Sequence, residues 1–83
     1  MKVRVRYFAS LREQLGAEEA VELPEGATVG ALRAELVARG GSHAQALAAG
    51  RAVRCALNQR MCGEAEVLSD WAEVAFFPPV TGG

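Results

Sequence analysis

The N-terminal segment alternates strictly. Val3, Val5 and Tyr7 fall on one side of residues 2–8, and Lys2, Arg4, Arg6 and Phe8 on the other, which predicts a half-buried strand. The pattern then changes period. Ser10-Leu11-Arg12-Glu13 has capping-box spacing, Leu11 and Leu15 share a helical face, and Gly16 supplies a stop, so a short helix is expected there. Residues 18–23 read as a second strand that ends at Pro24-Glu25-Gly26. Thr28 is placed to cap the main helix, with Val29, Leu32 and Leu36 as its buried stripe and Gly40-Gly41 as its end. Residues 42–49 predict another short helix, again from a Ser-x-x-Gln start.

Alternation then returns. Val53, Cys55 and Leu57 interleave with Arg54, Ala56 and Asn58 to make a third strand. Asn58-Gln59 reads as a turn into a short fourth strand around residues 60–62, and residues 73–78 form the last one. One long helix covers one face of such a sheet. The expected class is therefore α+β, a roll whose second sheet face stays open.

Composition narrows the setting. Eighty-three residues make one domain with a single modest core. A formal charge of −1 gives no basic excess for phosphates, so no nucleic-acid partner is expected. No apolar run is long enough for a bilayer, and the start alternates where a leader would be apolar. No membrane partner and a cytoplasmic location are the expectations. Cys55 and Cys62 flank the predicted hairpin. A disulfide is not expected in a reducing compartment; with His43 the pair makes only three metal ligands, at a spacing that fits no common zinc site. Both cysteines are read as structural and His43 as a surface residue. Glu18-Glu19 shows neither catalytic nor metal spacing.

The chemistry lies at the end of the chain. Phe76-Phe77-Pro78-Pro79-Val80-Thr81-Gly82-Gly83 runs from an apolar strand through a proline pair to bare glycines. Proline donates no backbone hydrogen bond and fixes φ, so the strand stops and an extended exit follows. Glycine lacks a Cβ, so Gly82-Gly83 is the thinnest backbone available for threading a carboxylate into another protein's active site. From Pro78 the tail reaches roughly 20 Å if extended. Strand parity puts Phe8 and Phe77 on the open face, and Met61 is the apolar candidate there on the fourth strand. Together they predict a partner patch. Arg4, Arg6 and Arg12 are expected in the same outer region, and Trp71 is either an anchor at its rim or a cover for the sheet edge.

Three stretches carry a family resemblance. Residues 73–83, Glu-Val-Ala-Phe-Phe-Pro-Pro-Val-Thr-Gly-Gly, resemble the C-terminal signature of the small subunit of molybdopterin synthase. Ala56-Leu57-Asn58-Gln59 is similar to that family's segment before its hairpin turn, and Tyr7-Phe8-Ala9 with Leu11-Arg12-Glu13 is similar to its start. Asp70-Trp71-Ala72 departs from the Asp-Gly-Asp-like turn frequent in the family.

The resemblance implies a ubiquitin-like β-grasp: a mixed sheet of about five strands with one main helix and one or two short ones. The domain would span residues 1–78, with residues 79–83 a flexible tail. The implied function is sulfur carriage. Gly83, with Gly82 beside it, is adenylated, converted to a thiocarboxylate, and donates sulfur to cyclic pyranopterin monophosphate, two loaded carriers building one dithiolene. The chain binds no cofactor; ATP is used by the activating partner. Implied partners are the synthase large subunit, in a heterotetramer, an E1-like adenylyltransferase and a persulfide sulfur donor. Phe77, Phe8, Met61, Pro78, Pro79, Val80, Thr81 and Arg12 are the expected partner-binding residues. Two alternatives stand beside this reading. A thiazole-forming sulfur carrier also ends in Gly-Gly, although Phe-Phe-Pro-Pro-Val-Thr argues against it. A ubiquitin-like protein modifier would have Lys2, the sole lysine, as its only internal site for chain building.

Overall fold

The computed structural model describes residues 1–79, so the expectations for Val80, Thr81, Gly82 and Gly83 lie outside the described residues. The chain runs β1 (Lys2–Tyr7), α1 (Ser10–Leu15), β2 (Glu18–Glu22), α2 (Val29–Ala38), α3 (Gly41–Leu47), β3 (Arg54–Leu57), β4 (Arg60–Cys62) and β5 (Glu73–Phe77). The five strands form one mixed sheet in the order β2-β1-β5-β3-β4. β1 and β5 pair in parallel at its centre; the other neighbours are antiparallel. This is the α+β roll that the alternation predicts.

The core lies between the sheet and α2. Val3, Val5 and Tyr7 from β1, Val74 and Phe76 from β5, and Val29, Leu32 and Leu36 from α2 are all buried. Register explains the match: Val5 faces Val74 and Tyr7 faces Phe76 across the parallel pair, so like residues fall on like sides. Tyr7 and Phe76 stack with ring centroids 6.4 Å apart.

The start of α2 satisfies its free donors. The Thr28 hydroxyl accepts from the Ala31 amide at 3.1 Å, while the Val29 and Gly30 amides donate to the Glu66 and Glu64 carbonyls at 2.9 Å each. Gly30 permits that approach, because a Cβ there would lie 3.2 Å from the Glu64 carbonyl oxygen.

The two other predicted caps do not form. Ala9, at φ 54°, is the N-cap of α1, and Ser10 is already helical with no side-chain cap. The Arg12 amide instead donates to the Ala9 carbonyl at 3.0 Å. Likewise Gly40, at φ 77°, opens α3 before Ser42. In both places a left-handed residue turns the chain sharply one or two positions earlier than the serine, leaving the hydroxyl no free amide to cap. β5 ends at Phe77, immediately before the proline pair, as missing donors require.

One buried charge went unread in the sequence. Arg33, on α2, donates from Nε to the Leu47 carbonyl at 2.7 Å. Its other nitrogens reach the Ala48 and Arg51 carbonyls at 2.7 and 2.9 Å and the Glu64 carboxylate at 2.7 Å. The planar fork thus saturates the carbonyls at the end of α3 and ties them to α2.

Candidate functional site on the open sheet face

Among the described residues no helix packs on the side of the sheet opposite α2, and strand parity decides what that side displays. Ala75 on β5 pairs with Ala56 on β3, and Ala56 with Met61 on β4. Both alanines are 8 % exposed although they point away from the core. They form a shallow apolar floor, hidden by taller neighbours rather than by a second layer. Met61 stands beside it at 58 % exposure and Phe8 at 37 %. Phe77 pairs with Arg54 and is partly buried. The Phe8 amide donates to the Phe76 carbonyl at 3.1 Å, which continues the β1–β5 ladder and sets Phe8 alongside Phe77. Phe8, Met61 and Phe77 therefore lie on one face, as their parity predicts. The alanine floor that joins them was not singled out in the sequence; its signal was a small residue at an outward position in two adjacent strands.

Charge frames this floor. Arg4 bonds Glu18 at 3.1 Å, and Arg6 lies 4.0 Å from Glu73. The Arg6 guanidinium also sits 5.2 Å from the centroid of the Phe8 ring, within cation–π range. These arginines already have acidic neighbours on their own sheet. Arg12 differs from the expectation: it lies exposed on α1, which packs against α3 and the ends of β1 and β5. The helix carries it to the tail end of the molecule and off the strand row of Arg4 and Arg6.

Trp71 is 61 % exposed and holds φ 63°, a conformation costly for a bulky side chain. Its amide donates to the Lys2 carbonyl at 2.6 Å, and the Lys2 ammonium is 6.0 Å from its ring centroid. With Arg4, Glu18 and Ala20 it lines a cleft of about 230 Å³. Trp71 thus stands at the rim of the open face, at the end remote from the tail.

The exit lies at the other end. Pro78 and Pro79 are partly buried, and Pro78 lines a cleft of about 380 Å³ with Ser10, Gln14 and Arg51. Pro78 and Pro79 accordingly continue from a central strand, next to Phe77 and the apolar floor.

The opposite face holds a titratable cluster. Glu19 accepts from the Tyr7 hydroxyl at 2.7 Å, pairs with His43 Nε2 at 2.8 Å, and also meets Arg39. Burial pulls the Glu19 carboxyl upward, but hydrogen bonds from His43, Tyr7 and Arg39, with the charge of Arg39, hold it below its ordinary range. Burial, then the bond to Glu19 and its charge, push the Tyr7 phenol far above its usual value. His43 is therefore half-buried in α3 and joined to this cluster, not a free surface residue. Among the described residues no three His, Cys, Asp or Glu side chains gather to hold a metal ion. No described helix is long and apolar enough to cross a membrane.

With the geometry in hand, the comparisons are specific. Residues 5–83 match the ThiS family. A molybdopterin synthase sulfur carrier subunit of Escherichia coli (strain K12) is 40% identical over 81 residues, covering 98% of this chain and 99% of that protein. A putative molybdopterin converting factor subunit 1 of Pyrococcus furiosus superposes with a TM-score of 0.80 at 36% identity, covering 96% of this chain and 99% of the other. In a Helicobacter pylori complex of subunits 1 and 2 of molybdopterin-converting factor, one chain superposes with a TM-score of 0.71 at 25% identity, and each chain is covered in full.

Proposed function

Because the chain belongs to the ThiS family, we propose that it is the sulfur carrier subunit of a molybdopterin synthase. The observation that carries this reading is the likeness, over nearly its whole length, to relatives that bear that name, together with a proline pair that follows central β5 beside an open apolar face.

The chemistry follows from the carboxylate. A chain end with a pKa near 3.5 is ionised at neutral pH and is a poor electrophile. The Gly83 carboxylate attacks the α-phosphate of ATP on an E1-like adenylyltransferase, releasing pyrophosphate and forming an acyl-adenylate. The terminal sulfur of a persulfide donor displaces AMP to form an acyl disulfide, and a thiol then attacks the donor's sulfur, forming a new disulfide and releasing the thiocarboxylate. The loaded tail enters the large subunit, where the sulfur passes to cyclic pyranopterin monophosphate and oxygen from water restores the carboxylate. ATP stays with the activating partner, and this chain binds no cofactor. The proposed location is the cytoplasm, where ATP is available to the activating partner.

In this scheme the carrier is a covalent sulfur donor and not a catalyst by itself. Its contribution is positioning. Phe8, Phe77 and Met61 around the alanine floor dock the large subunit, and Pro78, Pro79, Val80 and Thr81 direct Gly82-Gly83 into its channel. Arg12, at the tail end of the molecule, adds a contact beside the exit.

Intact mass after incubation with ATP, an activating adenylyltransferase, a persulfide source and a thiol reductant tests the reading. The expected product is heavier by one oxygen-to-sulfur exchange, located at Gly83 by fragmentation. A chain that stays at its starting mass, while a known carrier is loaded in the same mixture, overturns it.

A further inference from the structure

Cys55 and Cys62 sit directly opposite each other across the β3–β4 ladder. Their sulfur atoms are 3.6 Å apart, the Cys62 thiol donating to Cys55 Sγ. The Cys55 thiol donates in turn to the Cys62 carbonyl at 3.3 Å. Both are free thiols. Directly paired residues of antiparallel strands have Cα atoms about 4.5–5.5 Å apart, inside the roughly 4.4–6.8 Å range that a disulfide spans. Joining these sulfurs thus needs side-chain rotation and no rebuilding of the backbone.

We propose that Cys55 and Cys62 form a redox modification site that a low-molecular-weight disulfide converts to an intrachain disulfide, Cys62 attacking first and Cys55 resolving. The inference goes beyond the carrier reading and stands whether or not that reading holds.

The order of events comes from the surroundings. Cys62 lies on β4, the edge strand of the sheet, and is partly exposed; Gly63 next to it has open space where a Cβ would be. Cys55 is buried on β3 between β4 and β5. Burial, followed by the hydrogen bond and charge of Cys62, holds its thiol well above the ordinary thiol range, with Glu64 adding and Arg33 opposing. The thiolate is the nucleophile, so the accessible Cys62 reacts with the external disulfide. Its sulfur bonds to one sulfur of the reagent and expels the other as a thiol. Cys62 then has neither a charge nor a proton to share, which removes two of the influences raising Cys55. The Cys55 thiolate attacks the Cys62 sulfur and expels the second thiol. One external disulfide is reduced to two thiols, and two protein thiols are oxidised to one disulfide. The product fixes the β3–β4 hairpin, and with it Met61 at the edge of the open face.

The test treats the folded full chain with oxidised glutathione, quenches samples with N-ethylmaleimide under denaturing conditions, and reads intact mass. The expected end product is a monomer lighter by two hydrogen atoms and free of maleimide, reached through a transient single glutathione adduct. Cys55→Ala should stop at that adduct, and Cys62→Ala should react at least about tenfold more slowly. Peptide mapping of the wild-type adduct places glutathione on Cys62 even if a variant folds poorly. Wild-type protein that keeps both thiols, links into dimers, or carries the first adduct on Cys55 overturns the proposal.

Discussion

Phe76 and Phe77 are adjacent and chemically identical, yet their truncation should fail in different assays. Phe76 is 1 % exposed, opposite Tyr7 and Cys55 on the core side. Its rings-stacked contact with Tyr7 and its full burial make Phe76→Ala a cavity mutation costing about 3–5 kcal/mol. A small domain has about 5–15 kcal/mol in total, so this variant should be close to unfolding. Phe77 is only partly buried and pairs with exposed Arg54 on the open face. Its truncation leaves the core intact and should cost about 1 kcal/mol of stability. If the open face docks the large subunit, the same truncation should cost at least about 2 kcal/mol of binding, a roughly thirtyfold rise in Kd. Urea denaturation followed by far-ultraviolet circular dichroism gives the first quantity; calorimetric titration with the large subunit gives the second. A core-sized stability loss for Phe77→Ala with unchanged affinity would refute the assignment of faces.

Three further outcomes follow from the same structure. Adding one residue after Gly83, or replacing Gly82 or Gly83 by valine, should suppress sulfur loading or transfer while leaving Tm within a few degrees; a large fall in Tm would mean the tail is part of the core. Arg33→Ala should cost about 3 kcal/mol in urea denaturation, because the carbonyls of Leu47, Ala48 and Arg51 lose their shared donor. Arg33→Lys should recover only part of that loss, and an unchanged midpoint for the alanine variant would contradict the clamp. For Glu19 the folded carboxyl titrates below its unfolded value of 4.5, so its contribution is complete above that pH and disappears as pH falls through the lower folded value. Glu19→Gln should therefore lower stability by about 1–2 kcal/mol at neutral pH and flatten the acid limb of a stability–pH profile; an unaltered profile would count against the cluster.

Period and parity make most of the fold legible in the sequence. Val3, Val5 and Tyr7 alternate because β1 has one dry side, and the stripe Val29, Leu32, Leu36 is the complementary surface of α2. The helix starts were less legible. Ser10 and Ser42 have the right spacing for caps, but Ala9 and Gly40 turn the chain into left-handed conformations first, and tertiary connection outranks a local hydrogen bond. Arg33 carries no signature because three of its four partners are backbone carbonyls of a different helix and loop, and carbonyls have no letter in a sequence. The cysteine pair lies between these cases. A two-residue turn at Asn58-Gln59, both at positive φ, makes the residues flanking it pair outward in step, so Cys55 opposite Cys62 was available from counting once the register was known. The open face was legible as Phe8, Met61 and Phe77, but its buried floor was not, since Ala56 and Ala75 are hidden only by what stands around them.

The central position of β5 also has a mechanical consequence. The strand is bonded to parallel β1 on one side and antiparallel β3 on the other, and Pro78 and Pro79 follow it directly in the chain. A pull applied along the axis of β5 would therefore load both ladders in shear, all their rungs together, instead of peeling an edge strand rung by rung. A partner that grips the end and draws it through a narrow passage would be hauling on a strand held along both edges. On that arrangement the domain would act as a stop on a cord, tugged against a surface and let go again without coming apart.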